Sequence, residues 1–260
     1  MRPKLVEPKL DRILGFCRED PVERVFLEDA ARRGLGRFVG LVEEGELRAL
    51  CHVGVNVVPS GHGCGAFARD VIRSAPRMLI GESHAVTELW DAASSRLPAP
   101  REDRPGQPVF EIREPPPAGG SRLRAATLDD LELLVPACAA AHEQELGVDP
   151  LRRDPDGFRW RTRTQIEEGR SWLWVEDGSI LFKAEASAWT PAAVQLQQVW
   201  VDLDVRERGY GARGLRDLCR VLLERVPVVC LFVRAENVAA IRLYETIGME
   251  HVLDYRSVLL

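Results

Sequence analysis

The chain has 260 residues, 45% of them hydrophobic and 29% charged, which is typical of a globular protein that folds around its own core. Its formal net charge of −5 argues against nucleic acid as the main partner, because phosphate binding requires a basic face. The six cysteines form no C-x-x-C pair and no apolar run reaches the ~18 residues of a membrane span, so we expect a cytoplasmic protein without a zinc site, a disulfide framework or a signal peptide.

The first part of the chain carries α/β patterns. Apolar periodicity predicts helices at Leu10–Cys17, 22–33, 66–73 and 85–95, and strands at 38–42, 47–58, 77–80 and 109–113. A glycine-rich loop, 61–65, follows the second of these strands. Its glycines allow backbone conformations that other residues avoid.

A cluster of prolines divides the chain. Seven of them lie between residues 97 and 120: Pro98, Pro100, Pro105, Pro108, Pro115, Pro116 and Pro117. Proline lacks the N–H that a helix interior or a strand ladder requires, so most of this stretch is predicted to be a linker. We therefore expect two domains, 1–118 and 119–260.

The second part of the chain repeats the order of the first. Thr127 is predicted to cap a helix that Gly147 ends, and a second helix covers 156–168. Three strands follow, the first two joined by an Asp177-Gly178 hairpin turn, and then come a loop, a helix, a strand, a helix and a strand. The predicted bounds are Ser171–Glu176, Ser179–Trp189, 194–203, 212–225, 228–234, 238–247 and 251–259, with Asn237 capping the last helix.

The loop between the third strand and its helix fits two kinds of anion site. Gly209-x-Gly211-x-x-Gly214 matches a dinucleotide fingerprint, whereas Arg206-x-x-Gly209-x-Gly211 matches the pyrophosphate loop of an acyl-CoA enzyme. A dinucleotide domain needs several further strand–helix units, with an acid about 20 residues on. Glu236 nearly meets that spacing, but residues 237–260 hold only one helix and one strand. The spacing therefore favours the acyl-CoA interpretation.

Residues 121–260 resemble the GNAT superfamily of acyl-CoA-dependent N-acyltransferases. The resemblance rests on the strand 198–201, the loop 206–211, and Asn-x-x-Ala-x-x-Leu-Tyr-Glu-x-x-Gly-Met at 237–249. The whole chain is similar to two-domain GNAT proteins with a divergent GNAT-like N-terminal domain. The resemblance implies an α/β (α+β) fold with a mixed, mostly antiparallel sheet flanked by helices.

The resemblance also implies how the cofactor is held. Amides from Glu207 to Ala212 would hold the coenzyme A pyrophosphate, because N–H groups at a helix N-terminus bind anions. The pantetheine arm would lie beside Val199–Val201, and Asn237 would hydrogen-bond to it. The implied cofactor-binding residues are Val199, Trp200, Val201, Arg206, Glu207, Arg208, Gly209, Tyr210, Gly211, Ala212 and Asn237.

The implied reaction requires an acid and a base. Tyr244 matches the family acid that protonates the leaving thiolate. Many family members carry a base Glu on the central strand, but this chain has Gln195 and Gln197 there. Glu185 is the first predicted substitute and Glu145 the second, and a water chain stays open as a third possibility.

The implied function is transfer of an acetyl or short acyl group from acyl-CoA to an amine by direct attack in a ternary complex. The alternative is a non-catalytic acyl-CoA-binding regulatory module. The acceptor would be a small-molecule amine or a protein amino group, and a homodimer is one expected assembly. We expect no metal site, no membrane partner and no catalysis by the N-terminal domain.

Overall fold

The computed structural model describes residues 3–260; the prediction on a signal peptide also concerns Met1 and Arg2, which lie outside the described residues. The first half of the chain contains six strands and four helices within this range. They are β1 (Lys4–Val6), α1 (Leu10–Cys17), α2 (Val25–Arg32), β2 (Arg37–Glu43), β3 (Glu46–Val53), β4 (Asn56–Gly61), α3 (Ala68–Ser74), β5 (Met78–Glu82), α4 (Ser83–Ala93) and β6 (Glu102–Ile112).

The second half contains six strands and five helices. They are β7 (Arg124–Ala125), α5 (Leu131–Leu146), α6 (Pro150–Arg153), α7 (Pro155–Glu167), β8 (Ser171–Glu176), β9 (Ser179–Trp189), β10 (Val194–Val201), α8 (Tyr210–Leu223), β11 (Val229–Phe232), α9 (Val238–Thr246) and β12 (Glu250–Leu259). The predicted bounds of β8 and β9 are confirmed residue for residue. Asp177 and Gly178, between the two strands, both take the positive φ that a tight hairpin turn requires.

All twelve strands form one sheet, in the order β1-β2-β3-β4-β5-β12-β6-β11-β10-β9-β8-β7. Two neighbouring pairs are parallel, β4 with β5 and β10 with β11, and the other pairs are antiparallel. The prediction of a mixed, mostly antiparallel sheet flanked by helices is confirmed. Each half thus contributes one parallel pair with a glycine-containing loop and a helix between its strands.

The two halves exchange their final strands. β12, at the end of the second half, pairs with β5 and β6 of the first half. β6, at the end of the first half, lies between β12 and β11. The predicted boundary at 118/119 falls after β6 and so separates two segments that share a sheet.

Helices cover both faces of the sheet in the second half. α8 and α9 pack on the face that presents Phe182, Ala184 and Leu196. α5 and α7 pack on the opposite face, over Leu173 and Trp200. Since side chains alternate along a strand, neighbouring residues of β9 serve two separate cores.

The structure adds three short elements that were not predicted, β1, β7 and α6, and it differs from the predicted elements in two further places. The predicted strand 47–58 is two strands, β3 and β4, which turn at 54–55. The predicted linker contains β6, which runs through Pro105 and Pro108. Pro105 lies beside Gly106, which has a φ of 61°, where the β6–β12 register shifts. Pro108 contributes only its carbonyl to the hydrogen bonding of the sheet, and this carbonyl accepts from the N–H of Val233. The N–H that proline lacks is therefore not required there.

Candidate active site

The strands β10 and β11 diverge after a short parallel contact. They pair at Val194↔Val229 and Gln195↔Cys230, and no further pair joins them within residues 3–260. We call the gap between 196–201 of β10 and 231–234 "the splay". Main-chain groups of β10 that face the splay have no strand opposite them, so an extended ligand can pair with them.

A bulge interrupts β10 beside the splay. The pairing of β10 with β9 shifts between Gln197 and Trp200, and Gln198 has a φ of 48°. The Gln198 side chain accepts a hydrogen bond of 2.9 Å from Nζ of Lys183 on β9. The bulge lies next to Val199, one of the predicted cofactor-binding residues.

The N-terminus of α8 lies at the end of the predicted pyrophosphate loop. Gly209 precedes the helix with a φ of 80°, and no side chain caps it. The amides of Tyr210, Gly211 and Ala212, in the first turn, have no carbonyl of the helix to bind. Together with the dipole of the 14-residue helix, these amides form a ready anion site.

The loop glycines serve different purposes. A Cβ at Gly209 would meet nothing within 4 Å, so its requirement is the left-handed backbone. A Cβ at Gly211 would lie 3.3 Å from the side chains of Leu243 and Val201. A Cβ at Gly214 would lie 2.5 Å from the Phe182 ring. The third glycine therefore permits close helix–sheet packing.

The loop arginines are engaged to different degrees. Arg206 donates to the carbonyl of Val201 and, at 2.7 Å, to the side chain of Gln144 at the end of α5. Arg213 donates to the carbonyls of Gly119 and Gly120, outside the loop, and its guanidinium group lies over the Trp174 ring. Arg208 is exposed, as is Glu207, whose φ is 62°.

The other predicted cofactor-binding residues surround the splay and α8. Val199 and Val201 pack at the edge of the α8–α9 core, whereas Trp200 is buried on the α5 face. The Tyr210 ring packs edge-on against Trp174, so its amide is the group at the loop. The Asn237 side chain accepts from the N–H of Ala240, which confirms its predicted capping role.

Tyr244 lies in α9, buried beside Phe110. Its hydroxyl forms no hydrogen bond with another group of residues 3–260. Burial, and then the charge of Glu145, raises the pKa of Tyr244 above its ordinary value. The hydroxyl is therefore protonated at neutral pH, as a general acid must be.

Glu185 belongs to a buried network on the α5 face of β9. Its carboxylate lies 2.9 Å from Nζ of Lys183, and Cys138 of α5 lies within 3.2 Å of both groups. Burial alone would raise the pKa of Glu185, but Lys183 outweighs it and holds the pKa below its usual value. Glu185 is thus an ionised carboxylate that is held by a buried cation.

Glu145 lies at the end of α5, near both Tyr244 and Lys183. It remains exposed, yet the protein packed around it raises the pKa of its carboxyl, against the opposing charges of Arg104 and Arg234. Its carboxylate forms no hydrogen bond with another group in the described range. An accessible carboxylate in dense surroundings is typical of a side chain on the wall of a cleft.

The glycine loop of the first half is filled by the protein itself. The carboxylate of Glu88 in α4 accepts 2.8 Å hydrogen bonds from the amides of Gly63 and Cys64. His84 lies 3.2 Å from the same carboxylate. These amides follow β4 as the amides of the 206–212 loop follow β10, so an internal anion occupies the position equivalent to the pyrophosphate loop.

The six cysteines are buried and free. No group of His, Cys, Asp or Glu in residues 3–260 could hold a metal ion. Across the same residues, no helix is both long and apolar enough to cross a membrane.

Sequence reasoning missed several residues of this site. Gln198 carries no sequence signal for its left-handed conformation. Arg104 lies in the stretch predicted as a linker, and Arg234 lies two residues after the end of β11. A lysine within an apolar strand was the available signal for Lys183, since a fully buried lysine requires a partner.

Two family models match the chain. Residues 36–134 match a domain of unknown function, DUF4081, and residues 137–249 match the acetyltransferase (GNAT) family. No curated protein is similar enough in sequence to be recognised as a relative.

Several solved structures share the fold along nearly the whole chain. An acetyltransferase of the GNAT family from Colwellia psychrerythraea is 12% identical, with a TM-score of 0.62 and complete coverage of both chains. A GCN5-related N-acetyltransferase from Sphaerobacter thermophilus is 20% identical, with a TM-score of 0.61 and coverage of 99% and 94%. A tandem GNAT protein from the clavulanic acid biosynthesis pathway is 12% identical, with a TM-score of 0.57 and coverage of 99% and 98%. The comparisons therefore show a GNAT acetyltransferase domain in the C-terminal part of the chain, at residues 137–249, and a fold that the whole chain shares with these structures.

Proposed function

We propose that the protein transfers an acetyl group from acetyl-CoA to an amine by direct attack in a ternary complex. The observation that carries this proposal is that the 206–212 loop, β10 and α9 come together, since a Cβ at Gly211 would lie 3.3 Å from the side chains of both Val201 and Leu243. Three features lie on these elements. These are the uncapped amides before α8, the unpaired edge of β10 at its bulge, and the buried hydroxyl of Tyr244. They match the pyrophosphate, the pantetheine arm and the thiolate of the cofactor in that order.

The chain's own residues divide the chemistry between them. The bulge beside Gln198 would aim the Val199 amide at the acyl carbonyl, where negative charge develops during attack. Tyr244 would give its proton to the leaving thiolate. Acetyl-CoA supplies the activated thioester, and the protein positions it and excludes water.

The base is assigned by comparing two carboxylates. Glu185 is paired with Lys183, and its lowered pKa makes it a weak proton acceptor. Glu145 is accessible, has no hydrogen-bonding partner within residues 3–260 and has a raised pKa. We therefore propose Glu145 as the base, acting directly or through water. Glu185 as the base stays a prediction, and the pH dependence of kcat/KM in variants of both glutamates tests it.

A non-catalytic acyl-CoA-binding module remains the second candidate. It is favoured by Gln195 and Gln197 on the central strand, where neither side chain can accept a proton at neutral pH. Such a module would bind acetyl-CoA and release no free coenzyme A with any amine.

Calorimetric titration with acetyl-CoA, with NAD as the competing ligand, tests the cofactor assignment. We expect one acetyl-CoA per chain and no NAD binding. Gly209→Val should abolish binding, because valine resists a φ of 80° and would occupy the open space that the anion approaches.

Gly34→Val is the matched control, since Gly34 has a φ of 65° and nothing within 4 Å of a built Cβ, and lies in the first half of the chain. Unchanged acetyl-CoA affinity in Gly209→Val would refute the loop assignment. Binding of NAD without binding of acetyl-CoA would refute acetyl transfer from acetyl-CoA as the function.

A further inference from the structure

Two arginines from different segments converge at the open end of the splay. Arg104 belongs to β6, and Arg234 lies two residues after the end of β11. Nη2 of each donates to the main-chain carbonyl of Glu145, at 3.3 and 2.5 Å. The same two atoms lie 2.6 and 3.4 Å from the carboxylate of Glu102. Two guanidinium groups thus share one carboxylate and one carbonyl.

This arrangement leaves hydrogen-bonding capacity unused. Nε of both arginines is buried and has no hydrogen-bond partner, and within residues 3–260 neither Nη1 atom donates to another group. Arg104 is only 9% exposed. A guanidinium group has five N–H donors, and burying a cation without enough acceptors is costly. A further hydrogen-bond acceptor would satisfy these unpartnered donors.

The pair lies beside the proposed base, Glu145. The last turn of α5 bridges the splay, since Gln144 binds Arg206 on the β10 side and Glu145 binds Arg234 on the β11 side. The Glu145 carboxylate, the proposed base, belongs to the residue that both arginines contact. A ligand that places an ammonium at this carboxylate therefore places its neighbouring atoms beside the two guanidinium groups.

We propose that the acceptor is a free amino acid, whose amine faces Glu145 and whose carboxylate is bound by Arg104 and Arg234. This inference rests on the proposed acetyl transfer. A carboxylate accepts paired hydrogen bonds from guanidinium groups, so it would satisfy donors that the protein leaves without a partner. The neighbouring ammonium and carboxylate of an amino acid match the adjacent base and cations.

The test measures coenzyme A release with a panel of amino acids, their carboxamides and the corresponding amines without a carboxyl group. Within each set of three compounds the amino-acid side chain is constant, and only the carboxylate is replaced or removed. We expect the best amino acid to exceed its carboxamide in kcat/KM by roughly tenfold to a hundredfold, the range of a charge-assisted hydrogen bond.

Arg234→Gln should remove this preference by raising the KM for the amino acid, with little change for the carboxamide. Arg104→Gln should do the same, and Arg234, which is the more exposed, remains informative if the Arg104 variant is poorly folded. The matched control is Arg113→Gln, because Arg113 pairs at 2.6 Å with a glutamate two residues earlier, as Arg104 does, but at the other end of β6. It should keep the preference.

The outcomes separate the two proposals. Failure to bind acetyl-CoA, or binding without transfer to any amine, would overturn the proposed function and this inference with it. Transfer to carboxamides and amino acids with equal kcat/KM would overturn this inference alone, as would a preference that survives in both arginine variants.

Discussion

At the scale of residues, burial adjusts the proposed acid and base in useful directions. The proposed acid, Tyr244, is kept protonated by its apolar surroundings. The proposed base, Glu145, is made a better proton acceptor by dense surroundings, although two arginines oppose the effect. Both residues lie in helices, Tyr244 in α9 and Glu145 near the end of α5.

Tyr244→Phe should separate binding from chemistry. The change removes only the hydroxyl, which has no partner within residues 3–260, so the acetyl-CoA dissociation constant should stay within about twofold. Loss of general-acid catalysis should lower kcat at least tenfold. Steady-state kinetics and calorimetry on one preparation check both values. Full turnover in the variant would remove Tyr244 from the mechanism.

The pH dependence of kcat/KM distinguishes Glu145 from Glu185. A base acts when deprotonated, so activity rises with pH through its pKa. The raised pKa of Glu145 places this rise above the ordinary value near 4.5, and the lowered pKa of Glu185 places it below. Profiles of the wild type, Glu145→Gln and Glu185→Gln, corrected for ionisation of the amine, decide between them. Loss of the rise in Glu185→Gln alone would restore Glu185 as the base.

The residues of the candidate site that form local motifs could be predicted from the sequence. Gly209, Tyr244 and Asn237 stand at fixed spacings, and the requirements of a loop, a helix and its cap explain those spacings. Arg104 and Cys138 meet Glu145 and Glu185 only through long-range packing. No spacing encodes such meetings, so the acceptor side of the site could not be predicted.

At the scale of elements, most helices and strands followed from apolar periodicity and capping residues. The exception was the first part of β6, residues 102–108, which was predicted as a linker because proline cannot donate a hydrogen bond to a neighbouring strand. Pro105 lies at a bulge and Pro108 opposite the end of β11, and both conditions depend on strands distant in sequence.

The two glycine loops show how similar elements differ in use. The 206–212 loop presents free amides at the N-terminus of α8, whereas Glu88 binds the corresponding amides of Gly63 and Cys64. A phosphate there would have to displace a carboxylate already held by two hydrogen bonds. The expected stoichiometry of one acetyl-CoA per chain follows from this difference.

At the scale of the whole molecule, the exchanged strands join the halves. A fragment of residues 119–260 lacks β6, which pairs with both β11 and β12. We expect this fragment to aggregate, because it exposes unpaired edges on two strands next to the splay. Co-expression with residues 1–118 should restore a monodisperse complex, as size-exclusion chromatography would show. A folded, active fragment would contradict this expectation and support 119–260 as an independent domain.

The exchange of β6 and β12 between the halves should also couple ligand binding at the splay to the stability of the first half. Because β6 forms the support of β11, loosening the first half changes the width of the splay, and a ligand that holds the splay protects the first half from unfolding. Thermal denaturation should then be a single cooperative transition whose midpoint rises with acetyl-CoA concentration, even for spectroscopic probes placed in the first half. The first half would then contribute to the stability of the second.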